Sequence, residues 1–122
     1  MQFLIVDDSP TMLRIIRNAL KEIGYDEVEE AEDGQEAMDM IESVSPDFVI
    51  TDWNMPNMNG VDLAKNIRNH PDFGHVPILM ITTRGMKEDV KTAMEADVDN
   101  YIVKPFEPDV LDEKIDTILE AA

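Results

Sequence analysis

Four short apolar runs set the architecture open to this chain: Phe3-Leu4-Ile5-Val6, Phe48-Val49-Ile50-Thr51, Ile78-Leu79-Met80-Ile81 and Tyr101-Ile102-Val103. None alternates apolar with polar residues, so each reads as a strand buried on both faces. Burial on both faces requires a parallel sheet sandwiched between helices, and the intervening segments supply them. Met12, Ile15, Ile16, Ala19, Leu20 and Ile23 recur at helical spacing, with Ser9 as a cap, Pro10 in the first turn and Gly24 as a stop. Ala37, Met38, Ile41 and Val44 mark a second helix, Val61, Leu63, Ala64 and Ile67 a third, and Leu111, Ile115, Ile118 and Leu119 the last. A helix from Met86 to Glu95 rests only on Val90, Ala93 and Met94 as an inward face. A shorter strand includes Val28 and Ala31, while Asp33-Gly34, Ser45-Pro46 and the run from Asn54 to Gly60 provide turns. Five strands alternating with five helices predict an α/β fold, a doubly wound five-stranded parallel sheet whose right-handed crossovers place helices on both faces. The methionines read as core fill.

Charge narrows the function classes. Ten basic against 27 acidic residues give a formal charge of -17, which opposes both phosphate backbones and anionic membranes. No nucleic acid and no membrane is therefore expected as a partner. The acidity concentrated between Asp26 and Glu42 reads as a solvated face. Without cysteine there is no disulfide, thiolate nucleophile or cysteine metal site. No apolar run reaches membrane-spanning length and no basic leader precedes the first strand. The expectation is one cytoplasmic, monomeric domain over 1–122 with no output domain attached.

Chemistry gathers at the ends of the strands. The first run ends in Asp7-Asp8, the third strand in Asp52, the fourth in Thr82-Thr83 and the fifth in Lys104. In an open parallel sheet those ends share one rim, where ligands bind. Carboxylates crowded together there repel unless a cation neutralises them. Hard oxygen donors without sulfur or imidazole favour Mg²⁺, or Mn²⁺, completed by water. A metal-bound carboxylate facing a lysine and a hydroxyl suits phosphoryl transfer, with Asp52 as nucleophile and Asp7-Asp8 holding the metal. A structural or regulatory metal site without covalent chemistry competes with that reading.

The stretches LIVDDSPTMLRIIRN, AEDGQEA, VITDWNMPNMNG, LMITT and YIVKPF together resemble the response-regulator receiver family, flavodoxin-like in fold, over most of the chain. DWNMPNMNG is most similar to its single-domain chemotaxis members, which act on the flagellar motor. The resemblance implies a phosphoprotein of a two-component chemotaxis pathway with Asp52, Lys104 and Thr82 as its catalytic set. It also implies Mg²⁺ on Asp8, Asp52 and the main-chain carbonyl of Asn54, with Asp7 acting through a metal-bound water. Thr82 and Tyr101 would form the switch, and the Lys104-Pro105 bond would be cis. A histidine kinase would donate the phosphoryl group. A flagellar motor switch protein would read it through the surface of the fourth helix, fifth strand and fifth helix, and a phosphatase would be a further partner. On that surface stand Lys87, Lys91, Tyr101 and Lys114. Such a switch catalyses its own phosphorylation and dephosphorylation and turns over no external substrate.

The chain departs from the family pattern in three places. Asp97 and Val98 stand where a Gly-Ala pair is usual, Arg84 replaces an acidic residue two positions after Thr82, and Asn54 is neutral two positions after Asp52. Arg84 near the pocket mouth bears on donor access and phosphoryl loss. Trp53 reads as a packed or partly exposed neighbour of Asp52, Gly34 and Gly60 as turn residues, and His70 and His75 as surface residues. Three alternatives remain: a relay intermediate or phosphate sink, an aspartyl phosphatase, and a flavodoxin-like electron carrier. The phosphatase would need a cap. The carrier would need a hydroxyl-rich loop in place of Asp7-Asp8.

Overall fold

A computed structural model describes residues 1–121, in the order β1 (Phe3–Val6), α1 (Pro10–Glu22), β2 (Val28–Ala31), α2 (Gly34–Val44), β3 (Phe48–Thr51), α3 (Gly60–Arg68), β4 (Ile78–Thr82), α4 (Lys87–Glu95), β5 (Asn100–Val103) and α5 (Pro108–Ala121). The strands pair in the order β2-β1-β3-β4-β5, every pair parallel. The alternating strand geometry sends successive side chains to opposite faces. Leu4, Val6, Val49 and Met80 meet Ala37 and Ile41 of α2 and Leu63, Ala64 and Ile67 of α3 on one side. Phe3, Ile5, Phe48, Ile50, Leu79 and Ile81 meet Leu13, Ile16 and Leu20 of α1 and Leu111 and Ile115 of α5 on the other. Both faces are dry, which is why these strands carry no alternation in sequence.

Helix ends follow their capping residues. The Ser9, Asp33 and Asn59 side chains accept from the backbone N–H groups of Met12, Glu36 and Asp62, at 3.3, 2.8 and 2.9 Å, fixing the starts of α1, α2 and α3. α4 lacks this device, since Met86 caps it without a side-chain bond.

The structure moves several details. α1 buries Ile16, Ala19 and Leu20 as expected and packs Met12 and Ile23 at the margin, but it adds Leu13 to the buried face and leaves Ile15 43% exposed. On α4 only Ala93 is buried, while Met94 is 38% exposed. Gly34 and Gly60 are the first residues of α2 and α3 rather than turn residues. A Cβ on Gly60 would lie 1.9 Å from the Asp52 carbonyl oxygen, and one on Gly34 2.6 Å from that of Met58. Close backbone approach therefore requires glycine at both. His70 is only half-buried at the surface, its ring edge-on to Phe73 and its Nε2 3.4 Å from Glu42, whereas His75 is exposed. The Lys104-Pro105 peptide is cis.

Asp97 occupies the left-handed region at φ 64, a conformation that strains a side chain other than glycine. Arg68 holds it there. The guanidinium donates to the carbonyls of Asp97, Gly74 and Val76 at 2.9, 3.1 and 2.5 Å and to the Asp99 carboxylate at 2.9 Å. One side chain thus satisfies the carbonyls of two loops at the amino ends of β4 and β5. Because those bonds reach only the backbone of residue 97, Asp97→Gly should relieve the strain and keep them. The expected gain is about 0.5–1 kcal/mol in urea unfolding. A loss of stability would mean that the aspartate side chain itself matters.

Candidate functional site

The parallel register brings the rim together. Val6 pairs with Thr51, Thr51 with Met80, and Thr82 with Val103. The ladder continues one residue past the strands, where Asp7, Asp52 and Lys104 donate their N–H groups to Ala31, Val6 and Thr82 at 3.1, 2.9 and 2.8 Å. The backbone of each is therefore fixed by its neighbour.

Asp7, Asp8 and Asp52 each place a carboxylate oxygen within 4.8 Å of the others. The Lys104 ammonium lies 3.0 Å from Asp7 Oδ2 and 3.3 Å from Asp52 Oδ2. Asp7 is buried, Asp8 is exposed, and the side chains of Asp52 and Lys104 are 11% and 12% exposed. The remaining oxygens are placed by main chain. Ser9 N–H donates to Asp7 Oδ1 at 2.9 Å and Trp53 N–H to Asp52 Oδ1 at 2.7 Å. Asp52 is left with Oδ2 turned toward the lysine.

Thr82 is fully buried at the same rim, and its hydroxyl oxygen accepts from Arg84 N–H at 3.3 Å. Tyr101 lies inward and 8% exposed, donating its hydroxyl to the Arg84 carbonyl at 2.5 Å. The exposed side chain of Asn54 points to the Arg84 guanidinium, 3.3 Å away, rather than to the carboxylates. Lys87 and Lys91 stand exposed on α4 and Lys114 half-buried on α5, outside the carboxylate cluster. Trp53 is packed, at 7% exposure.

Sequence reasoning placed Arg84 at the pocket mouth without its partners. Its guanidinium lies over the Trp53 ring, 4.1 Å from the centroid, and bonds Asp89 of α4. The signal available was position alone, two residues past Thr82 on the rim.

Three carboxylates face one ammonium in a largely buried rim, so the donor set fits a hard divalent cation: oxygen only, clustered, and short of positive charge. Burial pushes the Asp7 carboxyl above the usual aspartate range, and the Asp52 charge adds to this. The Ser9 N–H and Lys104 pull the other way. Burial likewise raises the Tyr101 hydroxyl. An electron carrier's cofactor phosphate would meet the Asp7-Asp8 carboxylates here, which removes that alternative.

A raised carboxyl favours the folded state while protonated, and that advantage is lost as pH rises through its folded value. In EDTA, Asp7→Asn should therefore raise the thermal midpoint at neutral pH. The difference should close near pH 3, where the wild-type carboxyl is itself neutral. A variant less stable at pH 7 would show that the Lys104 pair outweighs burial.

The chain as a whole has counterparts in known proteins. The response regulator receiver domain model matches residues 3–116. The chain is 52% identical over 120 residues to chemotaxis protein CheY1 of Helicobacter pylori, covering 98% of this chain and 97% of that one. It is 51% identical to a CheY homolog of Campylobacter jejuni, covering 98% and 92%. Among solved structures, chemotaxis protein CheY4 of Vibrio cholerae superposes with a TM-score of 0.88 at 33% identity, covering 96% of this chain and 97% of that one. With its parallel sheet, its acidic rim and its lysine in register, this chain belongs to the response regulator receiver domain family.

Proposed function

We propose that this protein is a phosphoryl-accepting switch of a chemotaxis pathway, with Asp52 as the acceptor. The observation that carries the reading is the Lys104 ammonium held between Asp7 Oδ2 and Asp52 Oδ2, beside buried Thr82. A phosphohistidine on a partner kinase, or a small acyl phosphate, is the donor. Asp52 Oδ2 attacks phosphorus, the O–P bond forms, and the N–P or O–P bond of the donor breaks. The electron pair leaves on the imidazole nitrogen, which takes a proton, or on the released carboxylate. Lys104 offsets charge on a phosphoryl oxygen, and the Thr82 hydroxyl turns from Arg84 to donate to another. Asp7, Asp8 and Asp52, with the main-chain carbonyl of Asn54, would hold Mg²⁺ or Mn²⁺, which neutralises the remaining phosphoryl charge when bound.

Loss of the group is hydrolysis of the same acyl phosphate by water, so the protein resets itself and has no external substrate. The output is a surface. When Thr82 moves, the space beside Tyr101 changes, and the face formed by α4, β5 and α5 is remodelled. Lys87, Lys91 and Lys114 are scarce cations there in a chain of charge -17, which suits an acidic partner segment. A flagellar motor switch protein is the proposed reader, a phosphatase a further partner, and a monomeric cytoplasmic domain over 1–122 the acting form.

Incubation with acetyl phosphate and Mg²⁺ should add one phosphoryl group, mapped to Asp52 by mass spectrometry after nucleophile trapping. Asp52→Asn should abolish it and Lys104→Ala slow it roughly 100-fold or more. A phosphorylated Asp52→Asn protein would move the acceptor elsewhere. Reversing charge at Lys87 and Lys91 together should weaken binding of an acidic motor-switch peptide about 10-fold, measured by fluorescence anisotropy. Unchanged affinity would place the reader on another face.

A further inference from the structure

α4 is anchored unusually lightly. Only Ala93 is buried along it, its cap offers no side-chain bond, and Met86 and Met94 are 67% and 38% exposed. A helix so placed needs another restraint, because amphipathic packing supplies most helix stability. Arg84 provides one from the loop between β4 and α4. Its Nε and Nη2 donate to Asp89 Oδ1, in the first turn of α4, at 3.3 and 3.0 Å. Its Nη1 donates to Asn54 Oδ1 at 3.3 Å, and its plane covers the Trp53 ring at 4.1 Å. Trp53 and Asn54 directly follow Asp52.

We propose that Arg84 is a positioning residue, a latch that ties α4 to the acceptor loop and is released when Asp52 carries a phosphoryl group. The proposal deepens the reading of Asp52 as acceptor and rests on it for the release step only. The latch is well placed for the task. The same residue contacts Thr82 through its N–H and Tyr101 through its carbonyl, so its side chain and backbone report on one site. A guanidinium is held better by a dianion that offers it two oxygens than by the single carboxylate oxygen it shares here. A dianion arriving beside Trp53 is therefore a competitor for Asp89, and α4 loses its tether as the site fills. Release frees the first turn of the helix that carries Lys87 and Lys91.

Hydrogen exchange tests this in two stages. In the unphosphorylated protein, Arg84→Gln should speed exchange of the amides of residues 88–92 about fivefold, leaving β1 and β3 unchanged. Asp89→Ala should do the same while the Trp53 emission keeps its wild-type position, because the stack stays. Raising salt to roughly 1 M should carry the wild type toward the Arg84→Gln rate, which a purely packing role would not do. After acetyl phosphate and Mg²⁺, wild type should show the faster rate and Arg84→Gln no further change. Equal rates for wild type and Arg84→Gln before phosphorylation overturn the latch. An Arg84→Gln protein that still accelerates on phosphorylation overturns its release. Absence of phosphate on Asp52 by mass spectrometry instead overturns the acceptor reading, and the first stage still decides whether the latch exists.

Discussion

Clustered negative charge in a half-dry pocket is the constraint on which the rest of this structure depends. Three carboxylates stand within 4.8 Å of one another, and the one ammonium among them reaches only Asp7 and Asp52. Left to itself such a cluster would open toward solvent or take up protons. The sheet prevents the first, while burial within it leaves the Asp7 carboxyl raised. Asp7 and Asp52 are locked by backbone bonds to the neighbouring strands, and Lys104 is delivered from the far side of β4 by the same ladder. On the proposed function, a rim kept short of positive charge is what attracts a cation and a phosphoryl group, a trade of stability for activity.

The same economy explains where rigidity ends. The sandwich is dry on both faces around β1, β3 and β4, and those strands hold the carboxylate rim still. α4 has almost none of that packing. A motion that starts at Thr82 or Arg84 therefore reaches α4 at lower cost than it reaches α1 or α5, whose inward faces are buried. The bulky residues at positions 97 and 98 fit this division. Val98 is buried and Asp97 is held by Arg68, so the amino ends of β4 and β5 are fastened, opposite the carboxyl ends where the proposed switch residues lie.

Much of this was legible in the sequence, for a physical reason. Uninterrupted apolar runs cannot be half-solvated strands, and a residue that follows such a run must lie at the rim, so Asp7, Asp52, Thr82 and Lys104 were placed together before any coordinates. Helix faces were less legible. On α1 Ile16, Ala19 and Leu20 were read correctly, but Ile15 lies at the exposed margin of the stripe and Leu13 inside it, a difference of position that spacing alone does not decide. Gly34 and Gly60 looked like turn residues, because the contact that excludes a side chain comes from Asp52 and Met58, remote in sequence. Arg84 stood out as a departure, yet its three partners lie on separate elements and no local pattern connects them.

The central claim is that the carboxylate rim is built to take up a cation beside Asp52, and a Mg²⁺ titration read by the emission of Trp53 tests it most directly. Trp53 is the only tryptophan and its N–H bonds Asp52. The account predicts a saturable change in emission at neutral pH that is lost in Asp8→Asn. A flat titration of the wild type, or the same curve from Asp8→Asn, would contradict it.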